Sequence, residues 1–306
     1  MYRALGSHIL RALTDAGYTV TAVQRKDSMK APPQGVASIK VDLSSKNQLV
    51  SAFQGMDAVV SAVPNPILST EKTVIDAAIQ AAVKRIIPSE FSTNMESAVA
   101  RKLPILHGKS EVRDYITSIM REQAASSFSH RFDITSIFPT GTGTTWSSVN
   151  NGPFIEMCLK FGSLGPSIAQ KTAVFHNGGD NVVGTSRLSD IAIAVAKVLD
   201  PAHFEETANT SIYMYSAAIS ERYLTQLASE VAGVEFKVSH VDTEDLTREA
   251  DAGLEKGDGS KMFYYYFQMM YGKGYGGDTR HMSWNERLGL KTMSEDDIKD
   301  LIRQSA

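Results

Sequence analysis

One cysteine, Cys158, occurs in 306 residues. A lone thiol excludes an internal disulfide and any metal or cluster site built from four thiolates. The chain has no apolar stretch near the ~18–20 residues that a bilayer-spanning helix needs. It also lacks an excess of either charge: 31 Lys plus Arg against 34 Asp plus Glu give a net charge of −3. Without a basic run there is no electrostatic footprint for nucleic acid or an anionic membrane. The reducing cytosol is the expected location, and a small molecule the expected partner.

Several catalytic signatures are missing as well. No tyrosine is followed four residues later by lysine, and Gly-x-Ser-x-Gly does not occur. The first absence removes the proton-relay pair of the common short-chain dehydrogenases and disfavours a sugar-nucleotide epimerase. The second removes the usual serine-hydrolase elbow. The seven histidines show no metal-ligand spacing, so no metal is expected. Gly108-Lys109-Ser110 imitates the end of a phosphate loop, but Leu103 stands where that loop needs a glycine. Ser69-Thr-Glu-Lys72 reads as a helix cap rather than a nucleophile–lysine pair.

What is present is alternation. Ile9, Leu10 and Leu13 fall at helical spacing in a segment that opens at Gly6 and stops at Gly17. Strands are expected at 19–25, 36–43, 57–63, 85–90 and 132–138, with helices at 45–54, 70–83 and 109–124 between them. The run Asp57-Ala-Val-Val-Ser-Ala-Val63 is apolar without alternation, as in a strand covered on both faces. This pattern predicts an α/β fold with a doubly wound parallel sheet of the extended Rossmann type. Beyond about residue 140 the spacing loosens. Helices are expected near 154–161, 188–199 and 221–231, and strands near 172–175, 211–217 and 236–242. A capping box at Ser294 and Asp297 opens a last helix. The expected organisation is a dinucleotide-binding domain over 1–145 and a smaller substrate lobe over 146–306, with the aromatic run Met262–Tyr271 packing that lobe or lining its cavity.

In doubly wound sheets ligands sit at the carboxyl ends of the strands. That rule singles out Arg25, Asp42, Ser61 to Val63, Ser89 to Phe91 and Pro139 to Gly141. Leu5-Gly6 before an amphipathic helix has the character of the tail of a dinucleotide-binding loop, where a helix N-terminus receives pyrophosphate. Arg25 ends the strand beside which the adenosine ribose lies. An arginine there suits a 2′-phosphate and hence NADPH, whereas an acid would suit NADH.

Three segments together resemble the NmrA-like, isoflavone-reductase-like family of atypical short-chain dehydrogenases, its fungal members most of all. They are Asp57-Ala-Val-Val-Ser-Ala62, Val74-Ile-Asp-Ala-Ala78 and Val83-Lys-Arg-Ile-Ile-Pro-Ser-Glu-Phe91. The likeness continues through Gly108-Lys109, Asn177-Gly-Gly-Asp180, Thr185–Ala192 and Val241–Asp245. It implies a Rossmann-type fold that binds NADPH. It also implies a lysine near the nicotinamide that acts as acid–base, which by position is Lys109. His107 is a lesser candidate for the same proton work. The resemblance assigns Ser61, Ala62 and Val63 to the adenosine and pyrophosphate, Ser89, Glu90 and Phe91 to the nicotinamide ribose, and Phe138 to Thr140 to the nicotinamide itself.

The sequence departs from that pattern at its front. The family opens with a strand and a Gly-x-x-Gly-x-x-Gly loop, of which only Gly6 stands here, with Arg3 where a small residue is usual. The stretch 126–147 also differs from the family. The expectation is an incomplete version of a longer chain, one that binds cofactor less well than the full form. The expected activity is NADPH-dependent reduction of an aromatic or enone-type secondary metabolite. The alternatives are a non-catalytic NADP-sensing regulator and an inactive truncated homologue.

Overall fold

Leu5, Ile9 and Leu13 recur every fourth residue and are all buried, which fixes the inner face of the first helix, α1 (Arg3–Asp15). The computed structural model describes residues 3–29, 31–63, 68–130 and 143–305. Helix α1 begins three residues ahead of Gly6, because Arg3, Ala4 and Leu5 are themselves good helix formers. After it come β1 (Thr21–Arg25), β2 (Ala37–Val41), α2 (Lys46–Phe53), β3 (Ala58–Val60), α3 (Leu68–Gln80) and β4 (Arg85–Ile87). Then follow α4 (His107–His130), β5 (Thr145–Asn150), α5 (Ile155–Phe161), β6 (Pro166–Ser167), β7 (Thr172–His176) and β8 (Val183–Thr185). The remainder is α6 (Leu188–Leu199), β9 (Thr210–Tyr213), β10 (Ala217–Ile219), α7 (Glu221–Ala232), β11 (Lys237–Val241), α8 (Thr243–Leu254), α9 (Tyr264–Tyr271) and α10 (Glu295–Gln304).

The chain forms two compact units, each assembled from separate stretches of sequence. The first takes Met1–Glu90, Gly108–Val149 and Ala192–Ile212. Its strands fall into two sheets, β1-β2 and β3-β4-β5-β9. Within the second sheet β4 lies between β3 and β5, parallel to both, and all three of its residues are buried. Its core joins Ile86 to Leu49 and Phe53 of α2, Val74, Ile75 and Ala78 of α3, Val112, Ile116 and Met120 of α4, and Trp146. Arg85 ties the other end of β4 down without a carboxylate bonded to it. Its guanidinium donates to Thr145 Oγ1 (2.8 Å), Ser147 Oγ (2.7 Å), Thr207 Oγ1 (2.8 Å) and the Phe204 carbonyl. It also lies 4.2 Å from the Phe204 ring. Burial lowers its pKa to about 10.

The second unit comprises Phe91–His107, Asn150–Ile191 and Tyr213–Ala306. Its core gathers Ile155, Cys158 and Leu159 of α5, Leu224 and Leu227 of α7, Tyr265, Met269 and Met270 of α9, and Ile298 and Ile302 of α10. Within it the carboxylate of Glu221 accepts from His176 N (2.6 Å) and pairs with His176 Nδ1 (2.7 Å). The His176 ring stacks between Phe267 and Tyr271. The turn Asn177-Gly178-Gly179 needs glycine at its end: φ at Gly179 is +82°, and a Cβ would stand 2.6 Å from Phe175 Cγ. The capping box is formed as expected, with Ser294 accepting from Asp297 N and Asp297 accepting from Ser294 N.

One strand expectation meets a different backbone. The segment expected as one strand over 211–217 divides into β9 and β10, because its hydrogen bonds change partner. Met214 N donates to Asn150 O, whereas Ser216 N donates to Thr185 O, and β10 then runs antiparallel to β8. The strand expected at 132–138 lies outside the described residues. The strand paired with β4 after α4 is β5.

Candidate active site

Strands β3 and β4 end side by side, and one buried acid fastens their carboxyl ends. Ser61 N donates to Ile87 O (2.8 Å), continuing the ladder by one residue past β3. Ser61 Oγ then donates to Glu71 Oε2 (2.8 Å), and Ser89 N donates to Glu71 Oε1 (2.7 Å). Ser89 Oγ closes the ring by donating to the Val63 carbonyl (2.7 Å). Glu71 is 0% exposed, in the first turn of α3, where the positive end of the helix dipole favours an anion. Burial raises its pKa, and the bonds from Ser89 and Ser61 oppose that rise.

One residue beyond Ser89, Glu90 turns into a second buried cluster. Arg113 of α4 donates from Nε to Glu90 Oε2 (2.8 Å) and from Nη2 to Glu90 Oε1, so both carboxylate oxygens are held. The same Nη2 donates to Ser148 Oγ (2.9 Å), and the guanidinium lies 5.1 Å from the Trp146 ring. Lys109 stands one helical turn before Arg113. Glu90, Lys109 and Arg113 are 4%, 5% and 6% exposed. Burial brings Lys109 down from its ordinary 10.5 to about 8, against the attraction of Glu90, which alone would raise it. A lysine in that range can hold or release a proton near neutral pH.

The other expected residues are placed as follows. Gly6 lies inside α1, and a Cβ there would come 3.9 Å from Ala62 Cβ, so this helix runs close to the end of β3. Arg25 ends β1 with its side chain exposed, 3.5 Å from an exposed Asp27. Phe91 is buried with φ of +30°, the left-handed region, immediately after Glu90, and it groups with the second unit. Phe138 and Thr140 lie outside the described residues. Ser61, Ser89, Glu90 and Lys109 are thus drawn into one unit by two polar clusters, and Gly6 with Ala62 flanks them. Among the described residues no group of three or more His, Cys, Asp or Glu could hold a metal ion. No described helix is long and apolar enough to cross a membrane.

Sequence reasoning missed Glu71 and Arg113, although their helical phase marks them. Glu71 precedes Ile75 and Ala78 by four and seven residues, on the face that those two bury. Lys109 and Arg113 continue to Ile116 and Met120 in the same way. A charged residue on a buried stripe needs a partner, and that need is the signal.

Comparison with known proteins agrees with this architecture. Oxidoreductase aprR of Aspergillus flavus is 30% identical over 303 residues, covering 96% of this chain and 93% of that protein. Among solved structures, one titled "Crystal Structure of Isoflavone Reductase" superposes with a TM-score of 0.70 at 16% identity, over 97% of this chain and 95% of that one. Another, "AtPrR2 with NADP+ and (+)pinoresinol", gives 0.69 at 17% identity, over 100% and 96%. At those identities the structural likeness establishes a shared Rossmann-like fold. The NmrA-like family profile matches residues 4–257, and the chain belongs to the NmrA-like family.

Proposed function

We propose that this chain is an NADPH-dependent reductase of the isoflavone reductase type, acting in the cytosol on an aromatic or enone-type small molecule with Lys109 as acid–base. The observation that carries the proposal is Lys109 itself, a buried amine brought to about 8 at the carboxyl end of a parallel sheet. The donor set fits NADPH. Arg25 offers an exposed guanidinium at the end of β1 for a 2′-phosphate, and Ser61, Ala62 and Val63 are small or compact where backbone must approach a dinucleotide. When bound, NADPH supplies a hydride. Lys109 in its ammonium form gives a proton to the substrate oxygen that gains electron density, and in its amine form takes one from a phenol. The likeness to an oxidoreductase, to an isoflavone reductase and to a protein solved with pinoresinol supports an aromatic substrate.

The test pairs two measurements on wild type and Lys109→Ala. NADPH oxidation is followed over a panel of phenolic and enone compounds, and NADPH binding by quenching of its fluorescence. Turnover should fall by about 100- to 10,000-fold in the variant while affinity changes little. Undiminished turnover in Lys109→Ala would refute the role. Tight NADPH binding by a wild type that turns over none of the panel would favour a regulator.

A further inference from the structure

We infer that Glu71 is a positioning residue for the dinucleotide site: through Ser61 and Ser89 it sets the spacing of the β3 and β4 ends against which NADPH binds. The inference rests on the reading of this chain as an NADPH-dependent reductase and deepens it.

The need for Glu71 starts in the sequence after β4. Pro88 follows the strand and has no N–H, so the regular ladder stops at Ile87. The chain then turns tightly, with Glu90 N donating to the Pro88 carbonyl (2.7 Å). Ser89 is buried inside that turn, and its amide has to find an acceptor away from water. Glu71 Oε1 is that acceptor (2.7 Å). The other carboxylate oxygen, Oε2, takes the Ser61 hydroxyl (2.8 Å). One side chain from the first turn of α3 thus reaches both strand ends. Two direct bonds between those ends, Ser61 N to Ile87 O and Ser89 Oγ to Val63 O, complete the ring.

The ring fixes what each member can give to a ligand. Ser61 and Ser89 each use both the amide and the hydroxyl proton within it. Neither has a proton left to donate to a cofactor, so each contributes the course of its backbone. Glu71 is fully buried and does not face a ligand. Its effect on binding passes through the two serines. A dinucleotide lies against the carboxyl ends of such strands, so the spacing of two neighbouring ends decides how well it is met. Glutamine can replace the carboxylate here, because its Oε1 accepts from the Ser89 amide and its Nε2 donates to Ser61 Oγ. Methionine can do neither.

The test follows NADPH binding by quenching of its fluorescence, kcat at saturating NADPH, and hydrogen exchange at the Ser89 amide in the cofactor-free protein. Glu71→Met should weaken NADPH binding about 10- to 100-fold, keep kcat within about threefold of wild type, and speed exchange at Ser89. Glu71→Gln should bind NADPH within about threefold of wild type and keep the Ser89 amide protected. Ser61→Ala should weaken binding about 3- to 10-fold by itself and add almost nothing in a Glu71→Met background, because both changes break one bond. A merely stabilising role for Glu71 would lower the thermal stability of Glu71→Met and leave NADPH affinity unchanged, which overturns the inference. It is also overturned if Glu71→Gln binds no better than Glu71→Met, or if the Ser61→Ala and Glu71→Met losses add in full. Should Glu71→Met not fold, Ser61→Ala decides, and wild-type affinity in that variant overturns the inference. A wild type that does not bind NADPH removes the cofactor reading and the inference with it. A wild type that binds NADPH, with Glu71→Met binding equally well, removes the inference alone.

Discussion

Replacing Lys109 by methionine should stabilise the protein at neutral pH. Methionine keeps the length and apolar stem of lysine and removes the buried ammonium together with the interactions it makes. The fall of the Lys109 pKa from 10.5 to about 8 measures what the folded chain forfeits by holding that charge out of water. At about 1.4 kcal/mol for each pH unit, this amounts to about 3–4 kcal/mol. The remaining Glu90–Arg113 pair stays matched one to one. The direction with pH follows from proton counts. Between about 8 and 10.5 the unfolded wild type binds more protons than the folded form, so wild-type stability rises with pH across that window. The gain from Lys109→Met is therefore largest below about 8 and fades towards 10.5. Urea unfolding of both proteins at a series of pH values, with equal m-values, measures it directly. Equal stability at neutral pH, or a difference that does not change with pH, would refute the reasoning. A destabilised methionine variant would show that Lys109 is held by compensating bonds stronger than the cost of its burial.

Three further outcomes are expected. Arg25→Ser should lower kcat/KM for NADPH by about 10- to 100-fold and leave that for NADH nearly unchanged, since only the former carries a 2′-phosphate. Equal losses with both cofactors would remove Arg25 from phosphate recognition. Glu71→Gln should raise thermal stability at neutral pH, with the gain shrinking as pH falls towards about 4. Burial lifts the Glu71 pKa, so the folded chain loses stability as pH rises above the ordinary carboxylate value of 4.5. Glu71→Met, which leaves the Ser89 amide and Ser61 hydroxyl without their acceptor, should cost about 1–3 kcal/mol at the same pH.

Much of the architecture could be read along the chain because it depends on local periodicity. The apolar runs that became β3 and β4, the Ala- and Ile-rich α3, the turn at Asn177-Gly-Gly179 and the capping box of α10 all carry their cause in a few neighbouring residues. Even α8, which the periodic reading passed over, opens on Asp242 as its N-cap with Glu244 and Asp245 in the first turn. The division of 210–219 into β9 and β10 was not legible, because the change depends on which remote carbonyl each amide meets. Nor was the position of β5 beside β4, since a polar run, Thr145-Trp-Ser-Ser-Val-Asn150, becomes a buried strand only when Arg85, Arg113 and Thr207 supply its hydroxyl partners.

By itself the sequence determined the α/β class, the absence of a disulfide framework and the position of Lys109 after the Pro-Ser-Glu-Phe strand end. Each is a property of composition or of short-range order. The tertiary structure alone decided what Lys109 is. Chain distance does not reveal that Glu90 and Arg113, 23 residues apart, meet in one buried pair, or that Glu71 bridges Ser61 and Ser89 across two strands. Desolvation arises only when residues distant in the chain share a volume without water, and that burial, opposed by the attraction of Glu90, brings an ordinary lysine down to about 8.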